Sequence, residues 1–170
     1  MRKQLLFLLF IVAANSIIAS PTITEVRKWY FQASTNNSVV DKIIQSISDN
    51  DAKSDFRLRA YKGAAITMTA DQSYNPFEKL KRFNEGKSLI ESAIKEKQSD
   101  TELRFIRFTV QAECPSFLGY SSELESDKKL ILNNWSSFRE KTNDSYYINQ
   151  VKKYLLQSKH LTEAEKKSLQ

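Results

Sequence analysis

Two arginines one helical turn apart are the side chains of this sequence whose type and spacing are best suited to chemistry. Arg104 and Arg107 lie in a segment of largely apolar residues. A guanidinium group binds carboxylates and phosphates through paired hydrogen bonds, so a close pair could form an anion-binding site. The apolar neighbours also predict a mostly buried helix, in which each guanidinium requires a partner. Glu91, Glu102 or Asp127 could provide the carboxylate.

Three interpretations of this arginine pair stay open. We favour an internal salt-bridge network; the others are an anion or carboxylate site and ordinary exposure to solvent. Tyrosines and lysines of the block from Tyr61 to Lys128, together with Glu102, extend the set of candidates for a binding site or an internal polar network. The candidate site residues are Tyr61, Lys62, Lys87, Glu102, Arg104, Arg107 and Tyr120.

The sequence offers little material for catalysis, metals or cofactors. Its single cysteine, Cys114, and single histidine, His160, exclude an internal disulfide, a cysteine zinc cluster and multi-histidine zinc motifs. Its three glycines are more than twenty residues apart, which excludes phosphate-binding loops and dinucleotide motifs. We therefore expect no catalytic residue, no metal and no cofactor. A nucleophilic pair of Cys114 and His160 is disfavoured, because no spacing implies a third group that would orient the histidine.

Charge patterning bears on the partners of the chain. The formal net charge is +6, from 26 basic and 20 acidic residues. Charges of both signs are interspersed, as they are between Lys79 and Glu96, and form no basic block. This pattern predicts solvated helix faces, and no nucleic-acid-binding module is recognisable. We expect no nucleic-acid partner, and a protein or peptide is the candidate partner.

The first nineteen residues are typical of a secretory signal peptide. Arg2 and Lys3 precede an almost purely apolar run from Leu5 to Ala14, and Ala19 provides the small residue before a cleavage point. The apolar stretch is shorter than the roughly 20 residues that span a bilayer, so a retained anchor is the minor alternative. No later stretch is apolar enough to span a membrane. We expect an exported bacterial protein, periplasmic or extracellular, whose residues 20–170 form a single domain.

Helix signals cover most of this domain. Capping boxes are predicted at Thr22 with Glu25, at Ser122 with Glu125 and at Thr162 with Glu165, and further helix starts at Ser38, Asn75–Pro76, Asp100 and Asp144. A third helix is predicted from Ala52 to Ala70, and the sixth is predicted to carry Leu124 through Phe138. Pro115 ends the fifth helix. The segment Arg104 to Ala112 is rich enough in aromatic and β-branched residues for a strand, which is the disfavoured alternative.

These elements predict an all-α fold of seven to eight helices, either an irregular bundle or stacked tetratricopeptide-like helical hairpins. Gly86, Ile90 and Ala93, with Asp100 in the next turn, have the spacing that favours hairpins. A glycine within a helix costs about 1 kcal/mol relative to alanine. Gly63 and Gly86 are therefore predicted to mark a close approach of two helices, and the alternative is that they line a ligand pocket.

Five strings between Tyr61 and Lys128 carry a resemblance to other proteins. They are Y-K-G-A-A (61–65), N-P-F-E-K-L (75–80), F-N-E-G-K (83–87), E-L-R-F-I-R-F (102–108) and P-S-F-L-G-Y (115–120). This block resembles small uncharacterised secreted all-helical proteins of Bacteroidota-type bacteria. The resemblance implies no activity, but it identifies the part of the chain with the most distinctive sequence.

The sequence thus predicts an exported, non-catalytic helical protein that binds a protein or peptide or associates with the cell envelope. The alternative is a small periplasmic enzyme or an anion-binding or carboxylate-binding protein that uses Arg104 and Arg107 in a helical cleft. The two differ in what the guanidinium groups face. A site for anions requires them to be free, whereas an internal network requires carboxylates beside them.

Overall fold

The computed structural model describes residues 20–169, and this part of the chain is helical with no strand. The predicted all-α class is therefore confirmed, as an irregular bundle. The predicted signal peptide, residues 1–19, lies outside the described residues. Ten α-helices and two 3-10 turns follow one another: α1 (Ile23–Ala33), α2 (Asn37–Ser46), α3 (Asp49–Ser54), α4 (Phe56–Met68), a turn at Thr69–Gln72, α5 (Pro76–Glu96), α6 (Thr101–Glu113), a turn at Ser116–Leu118, α7 (Leu124–Asn133), α8 (Trp135–Lys141), α9 (Ser145–Gln157) and α10 (Glu163–Lys167).

Most predicted helix starts are confirmed by their capping hydrogen bonds. Both partners of the capping boxes at Thr22 with Glu25 and at Thr162 with Glu165 are in place. The side chains of Asn75, Asp100 and Asp144 each accept a backbone N–H from the first turn of the helix that follows. These side chains satisfy donors that the helix itself leaves unpaired.

The prediction of a single helix from Ala52 to Ala70 is wrong, because the helix is interrupted at Asp55. The Asp55 side chain accepts the backbone N–H groups of Arg57 and Leu58 at 2.7 and 3.1 Å. Its backbone is extended, so it ends α3 and begins α4. Aspartate competes for backbone donors in this way and favours caps over helix interiors.

Three further helix boundaries differ from the prediction. Asn36, and not Ser38, caps α2 by accepting the backbone N–H of Ser38. The capping box expected at Ser122 is absent, since α7 begins at Leu124 without a side-chain cap. The predicted sixth helix is two helices, because Asn134 separates α7 from α8.

Helix α6 is the centre of the molecule. The segment that could have been a strand is helical, and ten of its thirteen residues are buried. Leu103, Ile106 and Val110 pack into a core formed with α1, α2, α4 and α5. Phe105 and Phe108 pack into a second core formed with α7, α8 and α9 and with Leu161 and Leu169, which flank α10. One helix with apolar residues on nearly every side therefore connects two hydrophobic clusters.

Helices α4 and α5 pack in close contact at two glycines. A Cβ atom added at Gly63 would lie 2.6 Å from the carbonyl oxygen of Gly86 and 2.9 Å from the Cβ of Leu89. A Cβ atom added at Gly86 would meet the Gly63 carbonyl oxygen and the Thr67 backbone nitrogen. Backbone atoms cannot move aside as a flexible side chain can, so both positions require glycine, as predicted for a close helix approach.

Replacing Gly86 by alanine is expected to destabilise the protein by about 2 kcal/mol or more, because overpacking against backbone outweighs the better helix propensity of alanine. Urea denaturation measures the free energy of unfolding. Ser88→Ala is the matched control, since Ser88 is exposed on the same helix, and it should gain a few tenths of a kcal/mol. A Gly86→Ala protein as stable as the wild type would contradict the close packing.

Candidate functional site

The candidate residues predicted from the sequence fall into separate places in the structure. One cluster surrounds Glu102, whose carboxylate is 1% exposed. Arg27 donates to it through Nε at 2.8 Å and Nη2 at 2.6 Å, and the Tyr61 hydroxyl donates at 2.8 Å. The Nε atom of Arg57 lies 3.1 Å from the same carboxylate. Glu102 therefore accepts hydrogen bonds from Arg27 and Tyr61 and forms an ion pair with Arg57. Its expected pairing with Arg104 or Arg107 is not observed.

Burial governs the ionisation of the groups around Glu102. Burial, followed by the negative charge of Glu102, raises the pKa of Tyr61 well above its ordinary value. The tyrosine thus keeps its proton and remains a hydrogen-bond donor. Burial disfavours the charge of Arg27, but hydrogen bonding and attraction to Glu102 outweigh it, so the pKa of Arg27 is raised. Arg27, Tyr61 and Glu102 are almost fully buried, whereas the side chain of Arg57 is 38% exposed at the edge of the cluster. The buried part of the cluster connects helices to one another and offers no open face to a ligand.

A second cluster holds the two arginines of α6. Arg107 donates to both carboxylate oxygens of Asp127, at 2.6 and 2.7 Å, and to Glu91 at 2.8 Å. Arg104 donates to Asp127 at 2.9 Å. Asp127 is fully buried. Both guanidinium groups are thus paired with internal carboxylates. The partners, Asp127 and Glu91, are two of the three acidic residues that the sequence offered for this role.

The remaining candidates lie around these clusters or apart from them. The Tyr120 hydroxyl donates to Glu91 at 2.6 Å, which joins Tyr120 to the arginine cluster, and the Lys87 ammonium lies 4.7 Å from the centre of the Tyr120 ring. Lys62 stands apart and donates to the exposed Asp49 at 2.7 Å. The polar candidates are therefore divided among structural contacts, and they do not converge on one site.

A cleft with a mostly apolar lining, absent from the predicted site, lies between these helices. It has a volume of about 710 Å³, within the range of sites that bind ligands. Its lining is contributed by α1, the end of α4 and the following turn, the start of α5, the end of α6 and the following turn, and α9. The apolar lining residues include Tyr30, Phe31, Met68, Leu80, Phe83, Val110, Phe117, Leu118 and Tyr154.

The two lips of the cleft coincide with two of the strings that distinguished the sequence. One lip is the first turn of α5, in the string 75–80, where Leu80 is 47% exposed and Phe77, just outside the cleft, is 81% exposed. The other lip is the 3-10 turn in the string 115–120, where Phe117 is 84% exposed. Exposed aromatic residues gathered at a cleft are typical of binding surfaces.

The polar atoms in the floor of the cleft are already paired. The hydroxyl groups of Tyr30 and Thr109 are hydrogen bonded at 2.6 Å, and burial raises the pKa of Tyr30 to about 12. The Tyr154 hydroxyl donates to Glu113 at 3.0 Å at the edge. An occupant of the floor would therefore be held by apolar contact, since few hydrogen-bonding groups remain to be satisfied.

Cys114 and His160 lie in different surroundings. The Cys114 thiol lines the cleft and contacts the carbonyl oxygens of Gln111 and Tyr120, and burial raises its pKa. The His160 ring packs edge-on against Phe108 in the second core. A thiol with a raised pKa is a poor nucleophile at neutral pH, so this geometry gives Cys114 no activating group.

No protein-family model, curated protein or solved structure matches the chain. Across residues 20–169, no group of three or more histidine, cysteine, aspartate or glutamate side chains is arranged to hold a metal ion. The helices within that range are all too short or too polar to cross a membrane.

Replacing Asp127 by asparagine is expected to lower the free energy of unfolding by about 3–5 kcal/mol, because two guanidinium groups lose their shared buried carboxylate. Urea denaturation again measures the change. Glu123→Gln is the matched control: its half-exposed carboxylate lies 3.9 Å from Arg107, and its loss should cost under about 1 kcal/mol. Equal losses in both variants would show that Asp127 is not the principal partner.

Proposed function

We propose that this chain is an exported, non-catalytic binding protein whose ligand inserts apolar groups into the cleft between α1, α5, α6 and α9. One observation supports the proposal above all: a cavity of about 710 Å³ has exposed apolar residues on both of its lips. Burying an exposed phenylalanine or leucine contributes about 1.5–3 kcal/mol. A few such contacts are enough to hold a ligand.

The pairing of charged groups elsewhere in the molecule supports a binding role over an enzymatic one. Arg104 and Arg107, on which an anion site or a small enzyme would depend, both face Asp127. A ligand anion would have to displace a buried carboxylate that accepts three hydrogen bonds from these arginines. The apolar cleft makes no such demand, because in the described part of the chain Leu80 and Phe117 on its two lips are exposed.

Apolar residues on the lips can be removed without disturbing the core. We expect the double variant Leu80→Ser, Phe117→Ser to bind the apolar dye ANS at least about tenfold more weakly than the wild type, because it loses two contacts with the dye. Tyr146→Ser is the matched control: Tyr146 is 45% exposed, close to the 47% of Leu80, and lies outside the cleft. Fluorescence titration measures binding, and urea denaturation checks that stability is unchanged.

The thiol of Cys114 gives an independent reading of the same site, because it is the single cysteine of the chain and lines the cleft. Saturating dye should slow the alkylation of Cys114 by iodoacetamide in the wild type and in Tyr146→Ser. Equal dye affinity in all variants, or alkylation that the dye does not affect, would overturn the assignment of the cleft as the binding site.

Export rests on the sequence of residues 1–19, with its basic start, apolar run and small residue at Ala19. We expect the full chain, expressed in a Gram-negative host, to be recovered from the periplasm or medium with Ser20 as its first residue. Intact-mass measurement of the fractionated protein tests this. A chain that keeps Met1 in the membrane fraction would favour the retained anchor, and a full-length chain in the cytoplasm would contradict export.

A further inference from the structure

Exposed aromatic rings lie at both lips of the cleft and close to them in the chain. Tyr74 is fully exposed, and Phe77 and Phe117 are more than four-fifths exposed. Phe77 is in the first turn of α5 and Tyr74 precedes this helix; neither lines the cavity, whereas Phe117 lines the opposite lip. A single hydrocarbon chain within the cavity would leave these aromatic rings in water. An occupant that covers both lips must be wider than the cavity.

A helix of a partner has the required width. An α-helix with its side chains is about 10–12 Å across, and an amphipathic helix laid in a groove inserts residues three and four positions apart while its flanks cover the rim. Its inserted side chains bring apolar atoms to a floor whose hydroxyl groups are already paired. The backbone groups of such an occupant are satisfied internally, so the floor need not supply hydrogen bonds.

Charges on the lining indicate which polar residues flank the apolar face of that helix. Three charged side chains line the cleft, Asp71, Lys79 and Glu113, and none of them forms an ion pair with another described residue. Two of the three are acidic. Glu113 is also the last residue of α6, where the helix dipole adds negative potential. The lip formed by the end of α6 is therefore complementary to a cation.

We propose that the ligand of the cleft is an amphipathic helix of a partner protein, which places its apolar face on the cleft and a lysine or arginine opposite Glu113. This inference rests on the proposed function and specifies the occupant. It requires an apolar face for the floor and lips and a positive charge at the α6 end. The Tyr154 hydroxyl, which donates to Glu113, holds the carboxylate at that edge.

Two designed peptides of about 18 residues, long enough to form helices, test the proposal with wild-type protein. Both have a leucine face; one has lysines on its flanks and the other glutamates. We expect the lysine peptide to slow alkylation of Cys114 and to bind at least about threefold more tightly than the glutamate peptide, as measured by calorimetry. Palmitate and neutral phosphatidylcholine vesicles are tested alongside as single-chain and membrane occupants.

Charge reversal at Glu113 distinguishes attraction to this residue from general attraction. In Glu113→Lys the preference should shift toward the glutamate peptide by about threefold or more, and Glu113→Gln should reduce the preference. Glu140→Lys is the matched control: Glu140 is exposed on α8, outside the cleft, and its reversal should leave the preference unchanged. Circular dichroism checks that each variant is folded.

The outcomes separate this inference from the proposed function. Protection of Cys114 by palmitate or vesicles, with no protection by either peptide, would overturn the helical partner and leave an apolar-binding cleft in place. Equal affinity for both peptides, unchanged by Glu113→Lys, would overturn the charge assignment. A cleft that takes up neither the peptides nor ANS would overturn both the inference and the proposed function.

Discussion

The structure depends on the need of α6 to satisfy the charges that it carries into the interior. Glu102 and Arg107 are both almost fully buried on this one helix. An unpaired charge there would cost several kcal/mol, so each must meet an opposite charge from another element. Glu102 meets Arg27 of α1 and Arg107 meets Asp127 of α7. The two faces of α6 are thereby tied to opposite halves of the bundle, between which its apolar residues pack.

This requirement also determines which of the polar candidates are paired inside the molecule. Arg104 and Arg107, which had the spacing for an anion site, both pair with Asp127 inside the molecule. The hydroxyl groups of Tyr61 and Tyr120 donate to the carboxylates of Glu102 and Glu91. What remains exposed near α6 is its C-terminal end, where Glu113 and Cys114 border the apolar cleft. The interior thus combines two apolar cores with paired charges, and apolar side chains also remain exposed at the cleft.

The sequence predicted features whose causes are local. The starts at Thr22, Asn75 and Asp100 follow from side chains that cap donors two or three residues away. The central place of α6 follows from the apolar residues on nearly every side of this helix. The close approach at Gly63 and Gly86 was predictable because glycine is unfavourable inside a helix and needs a packing reason. The interruption at Asp55 could not be predicted from local sequence, because an aspartate among helix-forming residues can either lie within a helix or cap the start of a new helix. Tertiary packing decides between these states.

The candidate site was harder to predict because its contacts cross long stretches of chain. Arg27 and Glu102 are 75 residues apart, and no spacing rule relates them. The lips of the cleft come from the segments 75–80 and 115–120. Both segments are distinctive in sequence, but nothing in the sequence predicts that they lie on opposite sides of one cleft. Their separation across the cleft depends on the position of α5, which is fixed by the glycine contact between Gly63 and Gly86. A backbone contact in the core therefore determines how far Leu80 lies from Phe117, and hence the width of the cleft.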